Sequence, residues 1–237
     1  MLLVLAALAP AFAGERFFAW SYGANTVGAG AVELEPIVTV KTHDENGTTV
    51  HAWKHEVELE FGITDAIEGG VYLVGAQTDD GPFSIEGYKG RVRARAWPMG
   101  SRAVDLAGYL EYIGSSTFAE HGVEAKVILA HEGRKVRAAL NLTGELEFED
   151  GEVERVFEPT AGAVWRFNRA FALGGEGKLE YVFGEEGEGP YTWAGPTLHL
   201  AGPDGRVTWT TSVMGGLTAA SRADAAIAAR TIVGIEL

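Results

Sequence analysis

Four basic residues occupy every second position of one short segment, Lys89, Arg91, Arg93 and Arg95. Glutamates do the same at Glu56, Glu58 and Glu60, and again at Glu145, Glu147 and Glu149. In an extended chain successive side chains point to opposite faces, so each set is a ladder of like charge on one face. Such a ladder repels itself unless water or an opposite wall answers it, because an unpaired charge in a low-dielectric interior is costly. A lumen built from these ladders has two options. Filled with water, its opposed walls make a narrow polar pore whose transverse field acts on small charged or dipolar solutes. Cross-paired, with Arg91, Arg93 and Arg95 on Glu56, Glu58, Glu60, Asp105 and Glu111, it is plugged.

Other chemistry is thin. The six histidines are His43, His51, His55, His121, His131 and His199. None stands at a metal-ligand spacing with carboxylates. His51 and His55 would share a helix face, but their segment alternates as a strand, which sets them about 13 Å apart, too far to chelate one ion. His43-Asp44 and Asp79-Asp80 place loop acids near histidine and are the residues from which a rim-located hydrolase would activate water; as turn residues they read as solvated. There is no Gly-x-Ser-x-Gly elbow and no phosphate loop. No catalytic residue, metal site or cofactor is expected.

The segments that carry the ladders share one grammar: about ten residues alternating apolar with polar or small, then a short turn rich in Gly, Asp, Asn or Pro. From Val136 to Phe148, Val136, Ala138, Leu140, Leu142, Gly144, Leu146 and Phe148 fall on one face. Arg137, Ala139, Asn141, Thr143, Glu145 and Glu147 fall on the other. Val57, Leu59, Phe61 and Ile63 likewise oppose the glutamates of 56–60, and Tyr88, Val92 and Ala94 oppose the basic ladder. The runs number about twelve, give or take two, over 30–43, 48–63, 66–78, 83–97, 103–115, 122–132, 135–149, 153–168, 170–184, 190–201, 206–216 and 225–237. The segment Phe17-Phe18-Ala19-Trp20-Ser21-Tyr22 falls in none of these runs; it is expected to add a strand or to extend the first. If the first strand runs outward, the longer, more acidic connections gather at the outer end and the short turns at the inner end, as in bacterial membrane barrels.

Composition narrows the class. A net charge of −14 argues against nucleic-acid binding, which needs a basic footprint. Cysteine is absent, which removes disulfides, thiolate metal sites and a cysteine nucleophile. Glycine, at 32 residues of 237, runs at about double the usual share and sits inside alternating segments, where a soluble sandwich would be weakened by it. Residues 1–13, MLLVLAALAPAFA, read as a secretory signal peptide cleaved after Ala13, leaving 14–237 as one domain. No segment is long enough for a transmembrane helix, which needs about 20 apolar residues.

A soluble sandwich also alternates, so strand length decides. Runs of ten to fifteen residues exceed the five or six usual in soluble sheets and match the 9–11 of a tilted membrane strand. Aromatics fall near run ends, notably Trp53, Trp97, Trp165, Phe167 and Phe183, where an interfacial girdle would set them. The segment Phe18 to Thr26 with Glu33-Leu34-Glu35, the run Glu56 to Asp65, and Gly195-Pro196-Thr197-Leu198-His199 together resemble a family of uncharacterised, roughly twelve-stranded bacterial outer-membrane proteins. That resemblance spans nearly the whole chain after the leader and implies fold and location, with no established activity to carry over. The C-terminal Leu237 departs from the aromatic residue with which such barrels usually end.

The expectation is an all-β, antiparallel, up-and-down transmembrane barrel of about twelve strands in the bacterial outer membrane. Its contacts would be membrane lipid, the outer-membrane assembly machinery and small polar solutes. Its function would be a narrow channel or transporter for small polar or charged solutes. The alternatives are a closed structural or adhesive barrel whose acidic outer loops bind divalent cations or a partner, and a rim-located hydrolase.

Overall fold

The computed structural model describes residues 15–45, 47–79, 81–149, 151–183 and 190–237. The leader expected at 1–13 and the whole acidic loop Glu185 to Glu188 lie outside those residues. Twelve strands follow one another: β1 (Val32–Glu45), β2 (Thr48–Thr64), β3 (Ile67–Thr78), β4 (Ser84–Arg95), β5 (Asp105–Ser115), β6 (His121–Glu132), β7 (Val136–Glu149), β8 (Glu152–Arg166), β9 (Phe171–Phe183), β10 (Tyr191–Ala201), β11 (Val207–Gly216) and β12 (Ile227–Glu236). Each pairs antiparallel with its chain neighbours, and β1 pairs with β12 to close the barrel. Closure satisfies every edge, as a sheet lacking water around it requires. A short helix, α1 (Ala219–Asp224), lies in the β11–β12 loop, where alternation gave no sign of it.

Alternation decides which face is which. Outward residues such as Val57, Leu73, Leu110, Val127 and Val213 are exposed apolar side chains in a continuous belt. Exposed aromatics flank it, with Phe83, Tyr112, Phe118, Tyr181 and Phe183 toward the loops and Phe61, Trp165, Phe167 and Trp209 toward the turns. This is the surface of a barrel built to sit in lipid. Of the expected girdle residues, Trp165, Phe167 and Phe183 are exposed on this outer surface. Trp53 is half-buried near the loop end of β2. Trp97 lies just past β4, half-buried, with the Arg102 guanidinium 4.3 Å from its ring centroid.

The segment Phe17 to Tyr22 forms no strand, which corrects the expectation that it adds to the wall. It runs through the lumen as irregular chain with every one of these residues buried. The reason is packing: a wall strand offers alternate residues to lipid and lumen, whereas this segment has bulky side chains for several walls at once. Phe17 and Phe18 pack on Ala139, Val164 and Ala172 of β7–β9. Trp20 joins Ile37, Val74, Trp193, Met214 and Ile232. Tyr22 packs on Ala107, Tyr109, Ile128 and Ala130 of β5 and β6. The wall leaves room for it. A Cβ at Gly162 would come within 2.6 Å of the Phe18 ring, and one at Gly62 would collide with the Gly28 carbonyl.

Candidate functional site

The lumen divides along its axis. Toward the turns, the N-terminal segment and an ion cluster fill it; toward the loops it opens into a cavity of about 760 Å³.

Arg91 on β4 organises the filled half. Its guanidinium donates to Glu58 and Glu68, both at 2.6 Å, to Glu60, and to the Tyr72 hydroxyl at 3.1 Å. Arg93 pairs with Glu68 at 2.7 Å. Arg16, from the luminal segment, donates to Glu35 at 2.8 Å. Across β1 and β2, Glu35 faces Glu58 and Glu33 faces Glu60 in register, so this wall is acidic and the arginines must come from elsewhere. Delocalised guanidinium with five donors suits such a carboxylate cage better than an ammonium would. Glu35, Glu58 and Glu60 each bring a carboxylate oxygen within 4.8 Å of the others, a spacing fit for a metal ion, but Arg16 and Arg91 already supply the positive charge.

The backbone of the luminal segment is held by barrel side chains. The Glu176 carboxylate accepts three successive amides, from Ala19 and Trp20 at 2.9 Å and Ser21 at 3.0 Å. Asn141 imitates a strand partner for Tyr22, accepting from its N–H at 2.6 Å and donating to its carbonyl at 2.9 Å. Glu68 accepts from Val27 N–H at 2.6 Å, and the Thr210 hydroxyl donates to the Arg16 carbonyl, which also lies 3.1 Å from His199 Nδ1. Strand-like backbone pairing begins only where Gly30 N–H meets the Gly62 carbonyl.

The expected ladders are thus split by height. Arg91 and Arg93 are buried in the cluster with Glu58 and Glu60. Lys89 and Glu56 sit above them and line the cavity; Lys89 bridges Glu56 and Glu111, both at 3.3 Å. Glu145 and Glu147 line the cavity on the far wall. Two expected participants stand apart. Arg95 forms no ion pair among the described residues, and Asp105 accepts instead from Gly100 N–H at 3.0 Å, tying down the turn that follows β4. Arg95 lies one step nearer the turn than Arg93, opposite Ala107, beyond the glutamates of the cluster. The sequence reading did not single out Glu68, Glu176, His199 or Arg16, and it set Asn141 on the polar face without a partner. Polar residues of luminal parity inside the glycine-rich strands β3 and β9 were a signal for the first two.

The rim histidines lie against neighbouring loop and strand residues. His43 lies 3.1 Å from Glu45, and Asp44 accepts from Gly47 N–H at 2.8 Å. His51 offers its amide and ring nitrogen to Asp79 at 2.9 and 2.7 Å, which holds that carboxyl below the usual aspartate range. The rings of His55 and Phe83 meet in a T-shaped contact.

Comparison with known proteins places this geometry. A family model described as a family of unknown function, DUF6662, matches residues 10–130, from the luminal segment through most of β6. None of the curated proteins compared matches the sequence. Solved structures share the architecture at low identity. The COG4313 outer membrane channel from Pseudomonas putida F1 superposes with a TM-score of 0.66 at 8% identity, covering 90% of this chain and 98% of that one. The NanC porin gives 0.61 at 11% identity, over 87% of this chain and 100% of the other. The KdgM porin, solved in complex with disordered oligogalacturonate, gives 0.55 at 11% identity, over 87% and 97%. At these identities the likeness is one of fold, a barrel like those of outer membrane channels and porins.

Proposed function

The chain belongs to the DUF6662 family, a family of unknown function, and we propose that it is an outer-membrane channel for small polar or charged solutes, shut at its turn end by its own N-terminal segment. In this reading residues 1–13 direct export and are removed, the assembly machinery inserts the barrel, and the loop end faces outward. The barrels it resembles are channels and porins, which supports passage through the lumen.

The observation that carries the reading is the way the closing segment is held. Among the described residues, the backbone of 16–27 is bonded to side chains of the wall, and the barrel ladder is complete without it. The segment can leave without breaking a strand pair, whereas a wall strand cannot. A permanently solid barrel of this size would more simply fill its interior with wall side chains, as eight-stranded barrels do.

Planar-bilayer conductance of the refolded barrel tests this, comparing the parent with a variant lacking residues 15–27. The parent is expected to dwell mostly closed, and the deletion to conduct in larger, longer steps. A deletion variant that folds, runs as a compact barrel on unheated gels and conducts no more than the parent would make this a closed structural barrel.

A further inference from the structure

Every lysine that lines the open cavity is paired with a carboxylate. Lys41 meets Asp224 at 2.9 Å, Lys54 meets Glu56 at 3.5 Å, Lys126 meets Glu124 at 3.1 Å, and Lys178 meets Glu158 and Glu180 at 2.5 and 2.8 Å. Lys89 is shared by Glu56 and Glu111. Two places differ. Arg230 on β12 has no carboxylate within 4.0 Å among the described residues. Its guanidinium lies 4.1 Å from the ring centroid of Trp20, and its Nε donates to Thr39 at 2.8 Å. Its terminal nitrogens have no hydrogen-bond partner among the described residues and are free to donate. Glu145 and Glu147 on β7 have no basic partner within 4.0 Å among the described residues, and the register sets each opposite a further glutamate, Glu124 and Glu154. Around the closed sheet β12 and β7 are separated by five strand steps one way and seven the other, so these two places face each other across the lumen.

We infer that the vestibule binds zwitterionic solutes of the short-peptide class, the carboxylate received by Arg230 over Trp20 and the ammonium by Glu145 and Glu147. An isolated anion would meet Arg230 but face the acidic wall, which Glu149 and Glu120 extend to the rim. An isolated cation would leave Arg230 unanswered. A molecule carrying both charges satisfies both walls and aligns its dipole with the field between them. A stacked, pre-oriented guanidinium also matches the flat fork of a carboxylate. The inference rests on the channel reading only for the route by which the solute arrives.

Equilibrium binding to the full chain refolded in detergent micelles tests the site without any need for conductance. The probes are glycylglycine, acetate and methylammonium, and the readouts are titration calorimetry and tryptophan fluorescence, since Trp20 forms part of the cavity floor. Glycylglycine is expected to bind more tightly than either single-charge probe. Arg230→Lys and Glu145→Gln/Glu147→Gln should each weaken it by about tenfold, the worth of one charge-assisted contact. Acetate should respond only to the arginine variant and methylammonium only to the glutamine pair. Binding of glycylglycine no tighter than acetate, or indifferent to the glutamine pair, overturns the inference. The glutamine pair is isosteric and Glu147 is exposed, so this arm does not depend on a damaged fold. Conductance without glycylglycine binding would sink this site and leave the channel; binding without conductance would do the reverse.

Discussion

The two halves of the lumen use the same chemistry, carboxylates against basic side chains, under opposite conditions of solvation. In the turn half, Arg91 and Glu58 are both fully buried at 2.6 Å. In the loop half, Lys41 and Asp224 meet at 2.9 Å with 39% and 38% of their side chains exposed. Water screens the second pair and competes for it, whereas the first is shut away from solvent and shares its charge only with the other groups of the cluster. The comparison teaches that a ladder of charge along a strand does not have one role. Lys89 and Arg91 are neighbours on one face of β4, yet the first looks into a wet cavity and the second is locked in a cluster.

Substitution should separate the halves sharply. Arg91→Ala leaves Glu58, Glu60 and Glu68 without their shared cation and should cost about 3–5 kcal/mol of unfolding free energy in urea titrations from lipid vesicles. A loss below about 1 kcal/mol would mean that water reaches this half as it reaches the other. Glu176→Gln keeps the shape but removes the charge that gathers three amides, and should weaken the hold on the luminal segment by roughly 1–3 kcal/mol. The check is hydrogen exchange of the Ala19, Trp20 and Ser21 amides, which should speed up while strand amides of β9 do not. Uniform acceleration would show that the segment and the wall unfold together, against a separately releasable plug. Lys41→Ala, at the opposite extreme, should change stability by less than about 1 kcal/mol, and that small effect should shrink further at high salt.

The wall was legible in the chain because its information is local. Period-two alternation over ten or more residues, turns rich in glycine and aspartate, and aromatics near run ends each follow from a strand that has lipid on one side and the lumen on the other. The twelve strands, their luminal faces and the parity of Lys89, Arg91, Arg93, Glu56, Glu58, Glu60, Glu145 and Glu147 come directly from that period. Strand ends shifted by a few residues, as with β1 at Val32–Glu45, since fraying ends carry little pattern.

What fills the lumen was decided only by closure. The Phe17 to Tyr22 segment carries no period, because its side chains serve three sectors of wall rather than two faces of a sheet. Glu176 and Asn141 look like any other polar luminal residues until the segment is laid against them, and Glu68 is indistinguishable from Glu60 until Arg91 reaches both. Arg95 continues the ladder in the chain but falls past the cluster in space. Alternation along a strand determines which way a side chain points. Height along the barrel axis and the occupant of the interior determine whether that side chain meets water, an ion partner or the chain's own N-terminal segment, and both depend on strands far apart in sequence.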